Sequence, residues 1–156
     1  MQVISNASPI ILLEKVGELY LLASLYKNIV IPEAVYQEVF KSYKADFEKP
    51  DWIKVKKVSD SGKAALLAGN LGSGESEAIV LYLEQNADLL LLDDFSARSK
   101  ANSMGIKITG IAGILLDAKV KGLIDNVKKI LDNLIISDYR ISDSLYEDVL
   151  VTANEN

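Results

Sequence analysis

The chain has 156 residues, of which 49% are hydrophobic and 25% charged, a composition ordinary for one folded domain and unlike a disordered chain. It contains no histidine and no cysteine, which excludes a Ser-His-Asp triad, a thiol nucleophile and a zinc site built on either residue. The net charge of −5 argues against tight nonspecific binding to duplex nucleic acid, and no apolar run reaches the length of a membrane span. Because no basic start precedes an apolar export segment, we expect a cytoplasmic protein.

Strands and helices alternate along the first part of the chain. Short β-branched runs favour strands, and Ser8 followed by Pro9 is typical of a helix start, with serine as the N-cap. An apolar stripe at helical spacing is formed by Val35, Tyr36, Val39, Phe40 and Tyr43. The predicted elements are a strand at 3–5, a helix at 9–15 that resumes at 18–26, a strand at 29–31, a helix at 32–44 and an edge strand at 53–58.

The second part of the chain continues this alternation and ends in helices. Gly62 and the glycine-rich segment 69–74 are interpreted as loops. The predicted elements are a helix at 75–85, a buried strand at 88–92, a helix at 93–104, a strand at 106–108, and helices at 111–121, 126–134 and 142–153. Alternating strands and helices predict a mainly parallel sheet covered on both faces. Ligands bind beyond the carboxyl ends of such strands, which selects Asn6, Asp93, Asp94 and Thr109.

Asp93 and Asp94 are the strongest local signal for chemistry. Two adjacent carboxylates at the end of a buried strand repel each other and lose solvation, and a divalent cation would offset both costs. Aspartate is also a favoured helix N-cap, which is the simpler interpretation of either residue. Side chains alternate along a strand, so one aspartate can be a ligand while the other is a cap.

Segment 72–79 carries two glutamates at the start of a helix. Its glycines suggest a phosphate loop, but the lysine and hydroxyl that a Walker site requires are missing. Glu75 and Glu77 both suit the positive end of the helix dipole, and periodicity does not choose between them. From spacing alone, a structural role is the simpler interpretation of both.

Several further polar residues have simple structural interpretations beside their functional ones. Glu38 lies opposite most of the apolar stripe of its helix, as a surface glutamate would. Asn6 suits a turn after the first strand, where it would cap the first helix. Arg98 and Lys100 follow the aspartate pair, where they could meet a phosphate or lie on a solvated helix face.

The order of these weak signals is more specific than any one of them. The chain carries Asn-Ala-Ser-Pro at 6–9, Pro-Glu-Ala-Val-Tyr-Gln-Glu at 32–38, Gly-Glu-Ser-Glu-Ala-Ile at 74–79, Asp-Asp-Phe-Ser-Ala-Arg at 93–98 and Thr-Gly-Ile-Ala-Gly at 109–113. In this order the segments resemble the PIN-domain nucleases, specifically the small prokaryotic PIN-like branch related to toxins of toxin–antitoxin pairs. The resemblance covers nearly the whole chain, as far as Glu155.

The resemblance implies one domain over residues 1–156, an α/β fold in which a five-stranded, mainly parallel sheet forms a three-layer α/β/α sandwich, with the C-terminal helices of about 126–153 packed on it. It also implies a cluster of oxygen ligands that binds Mg²⁺ or Mn²⁺ and cleaves single-stranded RNA, often in a homodimer. Carried over by position, the cluster comprises Asn6, Glu38, Glu75, Asp93 and Asp94. Ser8 matches the small hydroxyl residue that commonly follows the first acid.

Asn6 departs from the family pattern, because members with clear nuclease activity usually carry aspartate there. An amide keeps an oxygen ligand but loses a full charge, so metal affinity should fall. From the resemblance we expect a metal-dependent ribonuclease acting on RNA, as the toxin partner of an antitoxin protein. The alternative is a PIN-like module that binds RNA or a protein without cleavage.

Overall fold

A parallel sheet of five strands organises the computed structural model, which describes residues 1–42 and 47–156. The strands are β1 (Val3–Ser5), β2 (Ile29–Pro32), β3 (Ile53–Lys56), β4 (Leu89–Leu91) and β5 (Ile108–Thr109). Their order in the sheet is β3-β2-β1-β4-β5, and every pairing is parallel. The edge position of β3 fits its lysines, which protect an exposed edge from further pairing.

Helices connect and follow the strands. They are α1 (Ala7–Lys15), α2 (Tyr20–Tyr26), α3 (Glu33–Tyr36), α4 (Ser61–Ala68), α5 (Ser73–Gln85), α6 (Phe95–Ser103), α7 (Ile111–Val120), α8 (Val127–Ile136) and α9 (Asp143–Thr152). A π-helical segment, Gln37–Ser42, continues α3. The predicted end of that helix at Lys44, and Tyr43 of its apolar stripe, lie outside the described residues. No helix among those described is both long enough and apolar enough to span a membrane.

The two faces of the sheet are covered by different helices, because side chains alternate along each strand. Val3, Leu89 and Leu91 lie in the larger core cluster, to which α1, α2, α7, α8 and α9 contribute. Ile4 and Leu90 lie in a second cluster together with residues of α5 and α6. Helices on both faces of a parallel sheet make the three-layer α/β/α sandwich expected from the sequence.

The side chain of Glu155 caps the amino end of α8. The oxygens of Glu155 accept hydrogen bonds from the backbone amides of Val127 and Lys128 at 2.8 Å each, and from Lys119 Nζ at 2.8 Å. Anions are favourable at a helix amino end, where backbone amides have no partner within the helix. Together with the buried Leu131 and Leu134, this contact holds α8 against the larger core cluster.

The start of α1 was predicted too late, and α4 was not predicted. The N-cap of α1 is Asn6 rather than Ser8, because the chain passes directly from β1 into the helix, and Pro9 is its third residue. Gly62, which was predicted to mark a loop, lies inside α4. Asp60 starts α4 despite the glycine, because its side chain accepts a hydrogen bond from the Lys63 amide at 2.9 Å.

Candidate metal centre

Asn6 lies where β1 ends, next to the carboxyl end of β4. Its backbone amide donates to the carbonyl of Leu91 at 3.0 Å, which extends the pairing of the two strands by one step. The residue is only 3% exposed, and its side chain makes no capping bond to α1. The predicted turn-and-cap interpretation of Asn6 is therefore wrong for the side chain, whose amide is directed elsewhere.

The side chains of Asn6 and Glu38 both approach Gly74, the second residue of α5. A Cβ atom added to Gly74 would lie 3.3 Å from Asn6 Oδ1, 3.8 Å from Glu38 Oε1 and 3.4 Å from Val35 Cγ2. Two oxygens from segments far apart in the chain thus approach one point, and only a residue without a side chain leaves that point open. This role of Gly74 was not predicted, although the glycine-rich segment that contains it is visible in the sequence.

The charge of Glu75 acts on the carboxylate of Glu38. Glu38 is exposed, as a surface glutamate would be, but partial burial of its carboxylate raises its pKa above the ordinary value, and the charge of Glu75 raises that pKa further. Glu75 is half-buried and folds back against Gly72, whose added Cβ would lie 3.3 Å from Glu75 Cδ. Mutual repulsion between two carboxylates is the condition that a divalent cation relieves.

Glu77 has a different role from Glu75, a distinction that periodicity left open. Its Oε1 accepts a hydrogen bond from the backbone amide of Ala34 at 3.1 Å. This contact satisfies an amide in the first turn of α3 and joins α3 to α5. Because Glu38 lies just beyond α3, Glu77 helps to keep Glu38 beside Gly74.

Asp93 and Asp94 point in different directions, as alternation along a strand predicts. Asp94 is exposed and is the N-cap of α6, with Oδ2 accepting from the Ala97 amide at 2.9 Å. Asp93 Oδ2 accepts from the Ile111 amide at 3.0 Å. The structure therefore uses Asp94 as the cap, and Asp93 is the remaining candidate ligand of the pair.

The side chain of Asp93 is 12% exposed and lies among several partners. Tyr139 donates its hydroxyl to Asp93 Oδ1 at 3.4 Å, and Arg98 Nη1 lies 4.0 Å from the same oxygen. Burial raises the pKa of Asp93, and this effect outweighs the lowering by its hydrogen bonds and by Arg98. Tyr139 lies between α8 and α9 and carried no sequence signal that would have linked it to Asp93.

The side-chain oxygens of the predicted ligands do not form one compact acidic cluster. Among residues 1–42 and 47–156, no group of three or more Asp and Glu side chains is close enough to hold a metal ion. Asn6, Glu38 and Glu75 instead offer one amide and two carboxylates near the amino end of α5. This set suits Mg²⁺, which proteins usually bind through one or two carboxylates, with waters and substrate phosphates as further ligands. Ser8 is half-buried in the first turn of α1.

An all-parallel sandwich with polar oxygens beyond the strand ends is typical of a ligand-binding α/β domain. A family model described as a PIN domain matches residues 2–155. The chain therefore belongs to the PIN-domain family, whose fold is of the nuclease type and whose members generally depend on divalent metal ions and bind RNA. Neither the curated proteins nor the solved structures gave a significant match.

Proposed function

We propose that this protein is a Mg²⁺- or Mn²⁺-dependent ribonuclease that hydrolyses phosphodiester bonds of single-stranded RNA. The observation that carries the proposal is the approach of Asn6 Oδ1 and Glu38 Oε1 over Gly74. Glu75 adds a second carboxylate, whose charge is close enough to raise the pKa of Glu38. Membership of the PIN-domain family supports RNA as the substrate class.

In this proposal, Asn6, Glu38 and Glu75 would hold the cation, and Asp93, beyond the end of β4, is a further candidate ligand. When bound, Mg²⁺ or Mn²⁺ supplies the positive charge that stabilises a phosphodiester as negative charge develops on it. Glu38 and Glu75 would orient the bound cation through their carboxylate oxygens. Asp93 keeps its hydrogen bond to Ile111 and so fixes α7 against the end of β4.

An RNA cleavage assay tests this function. We expect cleavage of a fluorophore-labelled single-stranded RNA in Mg²⁺ or Mn²⁺, and its loss in EDTA. Glu38→Gln and Glu75→Gln should each abolish cleavage, while Glu147→Gln, which removes the same charge from an exposed position on α9, should not. Cleavage that persists in both site variants would indicate a contaminating nuclease and contradict the proposal.

A second candidate function is RNA or protein binding without cleavage. Two observations favour it: asparagine stands at position 6, and no three carboxylates cluster in the described part of the chain. Such a module should show no rise in melting temperature with Mn²⁺ and should still bind RNA or a partner. A rise that Glu75→Gln removes would favour the enzyme instead.

We also propose, from the resemblance to the toxin branch, that the protein acts in the cytoplasm as a homodimer and is inhibited by an antitoxin protein. Growth arrest on expression, relieved by a small DNA-binding protein encoded immediately upstream, would support this role. Unimpaired growth with active enzyme present would contradict it.

A further inference from the structure

Both arginines of the chain line one cavity of about 420 Å³ beside Asp93. Arg98 belongs to α6, whereas Arg140 lies in the segment between α8 and α9. Phe95, Tyr139 and Leu145 are among the other lining residues. The cavity therefore combines positive charge with aromatic and aliphatic surface at the carboxyl edge of the sheet.

The positive charge in this cavity is available to a ligand. Arg98 is drawn toward Asp93, at 4.0 Å, but its side chain remains 41% exposed. Arg140 is exposed and forms no ion pair with any residue in the described ranges. The chain as a whole has a net charge of −5, but the two arginines make the charge around this cavity locally positive, which suits an anion. Arginine binds phosphate well because its planar donors match two phosphate oxygens.

The apolar part of the cavity is unusually open to solvent. Phe95, the first residue of α6, is 83% exposed, and Leu145 of α9 is 44% exposed. An exposed aromatic ring beside guanidinium groups is the arrangement on which single-stranded bases stack while their phosphates are bound. An acidic protein segment would use the arginines but would gain little from the ring face.

We infer that this cavity binds one nucleotide unit of single-stranded RNA, with its phosphate at Arg98 and Arg140 and its base on Phe95. The choice of RNA rests on the proposed function. Asp93 relates this cavity to the candidate metal centre. It lines the cavity, and it follows β4. That strand pairs with β1, which precedes Asn6. The cavity would therefore hold the RNA at the carboxyl edge of the sheet, the edge at which Asn6 also lies.

Fluorescence anisotropy with a labelled single-stranded RNA in EDTA tests this inference, because binding is then measured without metal or cleavage. Arg140→Gln and Phe95→Leu should each weaken RNA binding about fivefold or more. For Phe95→Leu, this is the lower end of the range for loss of one stacked base. Arg140→Gln should also reduce the slope of log affinity against log salt by about one unit. Two matched controls should bind as the wild type does: Lys54→Gln on the opposite edge strand, and Tyr20→Leu, an exposed aromatic on α2.

Equal affinity of the wild type and both cavity variants would overturn the inference, as would an equal loss in the controls. The inference would also be overturned if a poly-glutamate peptide bound with the same affinity as RNA and Phe95→Leu did not change that affinity. Such a result would indicate an acidic protein partner. RNA that binds in the cavity but is never cleaved would leave the inference standing and remove the proposed function. If RNA is cleaved but the cavity variants bind it normally, the inference would fail and the proposed function would stand.

Discussion

Asn6 Oδ1 and Glu38 Oε1 both lie within 4 Å of the point where a side chain on Gly74 would begin. The first residue follows β1, and the second lies in the π-helical segment beyond α3. Glu77 holds the first turn of α3 on α5 through the Ala34 amide. The approach of the two oxygens therefore depends on how closely α3 and α5 pack, and that packing depends on glycine at position 74.

Gly74→Ala should weaken Mn²⁺ binding with little loss of stability. Alanine is about 1 kcal/mol more favourable than glycine inside a helix, which offsets part of the crowding. The added Cβ, 3.3 Å from Asn6 Oδ1, forces the amide to shift by a few tenths of an ångström. Gly69→Ala is the control, since its Cβ meets only a backbone oxygen at 3.8 Å. Mn²⁺ titration and urea unfolding measure the two effects, and an unchanged Mn²⁺ affinity in Gly74→Ala would contradict the prediction.

Asn6→Asp should bind Mn²⁺ more tightly than the wild type, by about tenfold, because a full negative charge replaces an amide oxygen among the ligands. Without metal, the same variant should be less stable, because it places a third carboxylate near Glu38 and Glu75. Isothermal titration calorimetry gives the affinity. Asn133→Asp, on the exposed side of α8, controls for the added charge. Equal affinities of Asn6→Asp and the wild type would remove Asn6 from the site.

The aspartate pair should separate into one functional and one structural residue. Asp94→Ala should cost about 1 kcal/mol of unfolding free energy through loss of the N-cap, whereas Asp94→Asn keeps the cap and the stability. Asp93→Asn should reduce RNA cleavage at least about tenfold, a loss typical of groups around a metal site. Asp94→Asn should cleave RNA normally. The opposite pattern in these two asparagine variants would show that the ligand and the cap have been exchanged.

Glu155 should stabilise the fold only above acidic pH. Burial alone would raise its pKa, but hydrogen bonds from Lys119 and from the amides of Lys128 and Val127 lower it below the ordinary 4.5. An acid with a lowered pKa in the folded state contributes stability that is complete above its unfolded pKa and is lost as pH falls through the folded pKa.

Glu155→Gln should therefore lower the free energy of unfolding by about 1.5–3 kcal/mol at neutral pH, the range for hydrogen bonds to a charged group. The difference from the wild type should shrink as the pH falls below 4.5. Urea unfolding across this pH range measures it, with Glu147→Gln as the exposed control on α9. A stability difference that does not change with pH would contradict the prediction.

Most of the sheet was predictable because its strands are short apolar runs separated by clear helix signals. The buried leucines of β4 and the lysines of β3 identified a central and an edge strand. The start of α1 was not predictable, since Ser8 and Pro9 match a common helix start. The pairing of β1 with β4 instead carries the chain into the helix at Asn6, a tertiary effect that local preference does not contain.

The candidate site was predictable only in part. The position of Asn6 beyond a strand follows from topology, and side-chain alternation separated Asp93 from Asp94 without showing which one caps α6. The roles of Gly74, Glu77 and Tyr139 depend on contacts between segments distant in sequence, such as the Glu77–Ala34 hydrogen bond. A single sequence carries no signal for such contacts.

Titration of Mn²⁺ followed by the electron paramagnetic resonance signal of the free ion tests the central claim most directly. The account predicts that the wild type removes one Mn²⁺ per chain from solution and that Glu38→Gln and Glu75→Gln each bind it at least about tenfold more weakly. Glu147→Gln should match the wild type. Full retention of the free-ion signal by the wild type, or equal binding by all four proteins, would contradict it.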